Sequence, residues 1–428
     1  MDMRQYLKGI VLIVAAMTFM PLLAEMLWWK PVADPDVGYS YFGDSENWGV
    51  GSANGENPDS LVPSVNLDIQ GSRNGNWDLG GKTWMIKNWN AQSDWVQYKT
   101  CLSNGTLAVT GNCRTRRGYW ILRKGTTLSF TPESLFIPSE GDTAMHYINI
   151  GSGSMFDFRG QLEAYRFYIE TKSGGITVVD PADFKLHATT KQDNLFYTEG
   201  TIVFPHGLKW TGGGGDAANA KVRLVLFPTG RVVAAGDFSR QGHVGVFHFD
   251  LRGGVLEATD TVTFSGVDVK VVRAGMDFIV HGESLLDMEG FTFESATPCR
   301  KFGSGTLRLG ESRPQSLLVT GGKVTLSSVF NGLAGFSFLN RGIVVKIEKA
   351  GCRLDNLDVP EQLENISFEC GFNLAETSAE TVVFASADET ILSKAKEAFR
   401  AACPVGNAIE VRDGTLVLVN SGMVMSIR

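Results

Sequence analysis

Hydrophobic and polar residues alternate with a period of two along most of this chain, in short runs that open on glycine and stop at a polar residue or another glycine. The runs read Gly105-Thr-Leu-Ala-Val, Gly125-Thr-Thr-Leu-Ser-Phe, Gly175-Ile-Thr-Val-Val, Gly200-Thr-Ile-Val-Phe, Gly305-Thr-Leu-Arg-Leu, Gly322-Lys-Val-Thr-Leu and Gly414-Thr-Leu-Val-Leu. Looser copies start at Gly153, Gly230, Gly254, Gly275 and Gly342. From Gly105 to Gly342 the copies recur about every 24 residues, in the range of solenoid repeats. No single run can bury an apolar face alone, so neighbours must stack. Other segments, such as Val65-Asn-Leu-Asp-Ile69 and Val222-Arg-Leu-Val-Leu-Phe227, are also short and bounded by turn residues, which reads as strand. No stretch between 60 and 350 carries helical periodicity, which argues against βαβ units. The pattern predicts an all-β fold, a right-handed parallel β-helix over 61–350, with Leu307, Val324 and Leu326 in its core. An antiparallel sandwich also uses many short strands, but the recurrence at solenoid spacing favours the β-helix. In the C-terminal segment, 351–428, Ile391, Ala395, Ala398, Phe399 and Ala402 form a stripe at helical spacing. This predicts one short helix over 389–402, followed by final rungs at the Gly414 phrase.

The segment 25–60 differs, with large aromatics set among Asp, Gly, Ser and Asn. Eight of the nine tryptophans precede residue 121. A solenoid exposes a cross-section of its core at each end, and bulky rings can cover it, so 25–60 is expected to be a capping segment. The alternative is a carbohydrate platform, for which Trp84, Trp89 and Trp95 are the glycan-contact candidates because their neighbours are polar. Their separations of five and six residues mean that they cannot all share one strand face.

Residues 1–24 form a separate object. Arg4 and Lys8 precede an apolar run from Ile10 to Leu23, and Leu22-Leu-Ala24 offers a cleavage site. This is the layout of a secretory signal peptide, and the apolar run is short of the roughly 20 residues a spanning helix needs. Export is expected, with no transmembrane segment in the mature chain.

The Gly-Thr-Leu-x-Leu phrase with its Gly/Asn turn, best at Gly305–Gly322 and Gly414–Gly422, resembles the autotransporter-associated β-strand repeat of bacterial surface proteins. Trp29 and Asn47-Trp48 are similar to the tryptophan lead-in that often precedes such arrays. The resemblance implies an exported right-handed β-helix, at or released from a bacterial surface. Glycans or other surface proteins are the partners it would meet. No barrel-sized region is read behind the solenoid, so self-translocation through an outer membrane is not expected.

Composition sharpens this picture at two points. The 49 glycines suit strands joined by tight turns and not long helices. The formal charge of −7, with both signs spread along the chain and no basic run, makes nucleic acid a poor partner. Six cysteines in an exported chain permit disulfides. Cys101 with Cys113, flanking what reads as a rung or hairpin, is the first pairing expected, and Cys352 with Cys370 the second. Buried free thiols are the alternative.

No catalytic or cofactor motif is complete in the sequence. β-Helix pectinases carry Asn-Thr-Asp, Asp-Asp, Gly-His-Gly and Arg-Ile-Lys, and none occurs here; His206-Gly207 and His281-Gly282 are the nearest fragments. His243 and His248 are five apart, so a strand would point them to opposite faces and away from a shared metal. Thr211-Gly-Gly-Gly-Gly-Asp216 and Gly80-Gly-Lys-Thr83 both depart from the phosphate-loop pattern. No metal or cofactor is therefore expected. The sequence favours a noncatalytic exported solenoid with an adhesive or structural role, with a polysaccharide lyase or hydrolase on the same fold as the alternative.

Overall fold

The computed structural model describes residues 26–29, 40–43, 45–50, 61–63, 67–70, 75–91, 98–116, 118–139, 145–187, 193–212, 221–242, 245–294, 298–310, 312–327, 329–330, 335–354, 364 and 366–420. The proposed signal peptide lies outside them. The chain is a β-solenoid of about 11 turns built from mostly parallel strands. Its middle turns visit three sheets. The first is formed by Gly118–Leu122, His146–Ile150, Phe167–Thr171, Asp193–Thr198, Lys221–Leu226 and Val246–Leu251. Thr126–Phe130, Met155–Phe158, Ile176–Val179 and Thr201–Phe204 belong to the second. Asn112–Thr115, Leu135–Ile137, Gln161–Ala164 and Asp183–Leu186 belong to the third. Long strands such as Tyr98–Val109 and Arg231–Gln241 bend through a corner and serve two sheets.

Period-two alternation gives each strand an inward row. Trp120, Ile148, Ile169, Phe196, Leu224 and Phe249 are successive register partners in the first sheet, and all are buried. Leu307, Val324 and Leu326 are buried as expected. Glycine is needed where turns of chain touch at a corner. A Cβ on Gly200 would sit 2.2 Å from the Lys172 carbonyl oxygen and 2.6 Å from that of Gly175. Up to Gly275 the recurring phrase enters strands of the second sheet, whereas Gly305, Gly322 and Gly342 enter the third. The spacing also varies: Thr201 meets Arg231 one turn later, while Arg300 already meets Leu318.

Parallel pairing extends past both ends of 61–350. Met26–Trp29 pairs with Leu67–Gln70, and Ile366–Cys370 adds the last strand of the third sheet. At the N-terminal end Phe42 and Trp48 are fully buried, and the Trp48 indole donates to the Phe42 carbonyl at 2.9 Å. Their rings meet Trp77 at 5.3 and 6.0 Å, so aromatics pack together in the first described turns. The helix runs from Glu389 to Ala401, capped by the Asp388 carboxylate, which accepts from Thr390 N and Ile391 N. Ile391, Leu392, Ala395 and Phe399 are its buried residues, while Ala402 is exposed. Phe399 packs 6.0 Å from Phe372 and 6.3 Å from Phe384, covering the C-terminal end. The Gly414 phrase is not a rung. Asn407–Arg412 and Thr415–Asn420 pair antiparallel around Asp413 and Gly414, both at positive φ, and form a hairpin. Among the described residues no helix is long and apolar enough to cross a membrane.

Candidate functional site

The second residue of three consecutive first-sheet strands is tyrosine, in Gly118-Tyr-Trp-Ile-Leu, His146-Tyr-Ile-Asn-Ile and Phe167-Tyr-Ile-Glu-Thr. Because the strands are parallel and in register, Tyr119, Tyr147 and Tyr168 stand in one row on the outer face. Ring centroids are 5.5 Å apart for Tyr119 and Tyr147, and 5.1 Å for Tyr147 and Tyr168. On the next strand Leu195 takes the register position, and Tyr197 supplies the ring instead, 5.1 Å from Tyr168 and stacked at 24°. Phe227 follows at 5.5 Å, with the Arg252 guanidinium 5.7 Å above it. All five rings are half-buried.

A polar row flanks this ladder. Asn149 Nδ2 donates to Glu170 Oε2 at 2.8 Å, and Lys172 Nζ lies 2.5 Å from Glu170 and 3.7 Å from Glu199. Burial pushes the Tyr119 and Tyr168 phenols up, and the Glu170 charge adds to it. Both stay neutral hydroxyls at physiological pH. Farther along the same face, buried Asp250 accepts from Arg252 Nη2 at 2.9 Å and Arg273 Nε at 2.8 Å. Burial alone would raise its pKa, but the two guanidinium hydrogen bonds outweigh it and hold the carboxyl below the usual range.

A separate concavity of about 310 Å³ is lined by Asp180, Asp183, His206, Lys209, Thr211 and Gln241. It lies where the His206-Gly207 turn presses on the next turn of chain: a Cβ on Gly207 would sit 2.2 Å from the Asp237 carbonyl oxygen. His206 Nδ1 is 2.9 Å from Asp180 Oδ1, and the imidazole is largely open to solvent. An acid–imidazole pair in a polar hollow could move protons at a bound hydroxyl.

The tryptophans expected to touch glycans are elsewhere. Trp84 and Trp89 are buried. The Trp84 indole donates to the Leu79 carbonyl at 3.1 Å, and Trp89 stacks on Trp120 at 4.5 Å and 10°. Neither offers a face to a sugar, because both faces are consumed by the core. Trp95 lies outside the described residues. The expected disulfides are also absent: Cys101, Cys113, Cys352 and Cys370 are free, like Cys299 and Cys403. The segment between Cys101 and Cys113 is not a hairpin but passes two corners, carrying Cys101 to the first sheet and Cys113 to the third. Cys352 belongs to the C-terminal sheet, whereas Cys370 ends the last solenoid strand.

Sequence reading missed the ladder although its signal was there. Each of the three tyrosines follows the first residue of an alternating strand, but only register shows that they meet. Among the described residues no group of three or more His, Cys, Asp and Glu gathers as a metal site would require. No family model, curated protein or solved structure matches the chain. The likeness to autotransporter-associated repeats thus rests on the glycine phrases and the tryptophan lead-in of the sequence.

Proposed function

We propose that this protein is an exported, noncatalytic β-solenoid of a surface or matrix, with an adhesive or structural role, whose contact surface is the outer face of the first sheet. The observation that carries this reading is the ladder from Tyr119 to Phe227, one kind of side chain repeated over successive turns. A surface that repeats along a rod suits an extended partner, a glycan chain or a surface protein. The rings spend much of their faces on one another. Contact would therefore use phenol hydroxyls, ring edges and the row of Asn149, Glu170 and Lys172. The signal-peptide layout of residues 1–24 supports export, and the resemblance of the glycine phrases supports a bacterial surface.

The test is retention of the purified full chain on insoluble polysaccharides and on bacterial cell surfaces. Replacing Tyr119 and Tyr168 together with alanine should abolish retention while thermal melts still report a folded solenoid. Undiminished retention by that folded variant would sink the proposed face. The enzyme alternative has its own observation, the Asp180–His206 pair in the polar hollow. Release of reducing ends from a polysaccharide, lost in Asp180→Asn, would replace the noncatalytic reading.

A further inference from the structure

The same ladder has a chemistry independent of any partner. Parallel in-register strands hold like side chains at the strand spacing of about 4.8 Å. Here that places Tyr147 between Tyr119 and Tyr168 at ring separations of 5.5 and 5.1 Å, while Tyr197, two residues past the register position of Tyr168, brings its ring to 5.1 Å from it. The rings are tilted by 48°, 41° and 24° along the row, so ring edges of neighbours lean towards each other. Each ring is partly open to solvent. Four of the nine tyrosines of the chain are concentrated in this row. Of the others, Tyr165 stacks on His187 at 4.5 Å.

We propose that the tyrosine ladder is an oxidative cross-linking site, at which peroxide acting through a haem peroxidase joins phenols of successive turns into dityrosine. Hydrogen peroxide takes one hydrogen atom from each of two phenol O–H groups and is reduced to two waters. The two phenoxyl radicals couple through ring carbons ortho to oxygen, forming one C–C bond. Each ring then passes its displaced ortho hydrogen to its own oxygen, which restores both phenols. The net change in the chain is the loss of two hydrogens. The product staples one solenoid turn to the next across a pair whose geometry the fold has already set.

The experiment treats dilute full-length protein with a haem peroxidase and hydrogen peroxide, then reads dityrosine fluorescence, chain mass and linked peptides. Expected are intact single chains that have lost two hydrogens per cross-link, with links mapping to Tyr147–Tyr168, Tyr168–Tyr197 or Tyr119–Tyr147. Tyr147→Phe combined with Tyr197→Phe leaves Tyr119 and Tyr168 without a tyrosine neighbour in the row, and the signal should fall to background. Tyr119→Phe combined with Tyr165→Phe also removes two phenols but leaves three neighbours in place, and should retain it. Phenylalanine keeps the ring contacts, as Phe227 already does in this row. Equal yield in the first variant, or links in the wild-type chain that map to other tyrosines or only between chains, would overturn the assignment. The wild-type peptide map decides even where a variant folds poorly.

Discussion

Lys301 is the register partner of Phe278 on the preceding turn, so an ammonium stands where the second sheet otherwise places a buried hydrophobe. The side chain is fully buried. Its Nζ donates to the carbonyls of Gly303 at 2.6 Å, Gly305 at 2.7 Å and Gly321. The relationship marks a change in the solenoid: beyond it the turn shortens, and Arg300 already meets Leu318. Without the amine the Gly303 and Gly321 carbonyls would lose this donor, while the Gly305 carbonyl would keep the Lys323 N–H at 3.1 Å.

Lys301→Met, which keeps the length of the side chain but takes the amine from the Gly303 and Gly321 carbonyls, should therefore destabilise the protein by about 3 kcal/mol. Chemical denaturation with matched m-values would measure it. An unchanged midpoint would mean that water replaces the amine at no cost.

His146 sets an acid limit. It is fully buried, with Nδ1 3.1 Å from Thr115 Oγ1 and its ring 4.4 Å from that of Trp120. Burial pulls its pKa down from 6.5 to about 3. The unfolded chain thus binds a proton between these values that the folded chain refuses. This contribution to stability is complete above pH 6.5 and is lost as pH falls, by about 1.4 kcal/mol per unit. In His146→Gln the difference in unfolding free energy between pH 7 and pH 5 should shrink by about 2 kcal/mol relative to wild type. Parallel stability profiles of the two proteins would refute the assignment.

Trp84 and Tyr168 separate folding from contact. Trp84→Ala removes a buried ring and should cost about 3–5 kcal/mol of stability. Tyr168→Ala, on the outer face, should cost far less and act on retention at surfaces instead. Thermal melts run beside the binding assay distinguish the two. Loss of binding by Trp84→Ala with its melting temperature intact would return that residue to the contact surface.

The thiols make a chemical prediction. Burial pushes Cys113 well above its ordinary value, and Cys299 and Cys352 up to about 11. In the native state these three should resist alkylation at pH 8, since little thiolate forms and reagent has no access. After unfolding without reductant, all six cysteines should be alkylated. A mass showing fewer labels would reveal a disulfide.

The strands, the solenoid and the helix were legible in the sequence because they follow from local periodicity. Alternation decides which side of a strand Leu307 or Val324 takes, and a period of 3.6 decides that Ile391, Ala395 and Phe399 share a helix face. The tertiary structure alone decided which strand lies beside which. Register depends on how many residues each corner consumes, and corners vary from turn to turn: Thr201 pairs with Arg231, but Arg300 with Leu318. For this reason one glycine phrase could mark the second sheet at Gly200, the third at Gly322 and a hairpin at Gly414. The aromatics divide in the same way. Local spacing could not tell Trp84, whose ring fills the core, from Tyr147, whose ring stands outside between Tyr119 and Tyr168. Inward and outward are set by where the whole turn closes, and only the neighbouring turns supply the surface that buries one ring and leaves the other in the ladder.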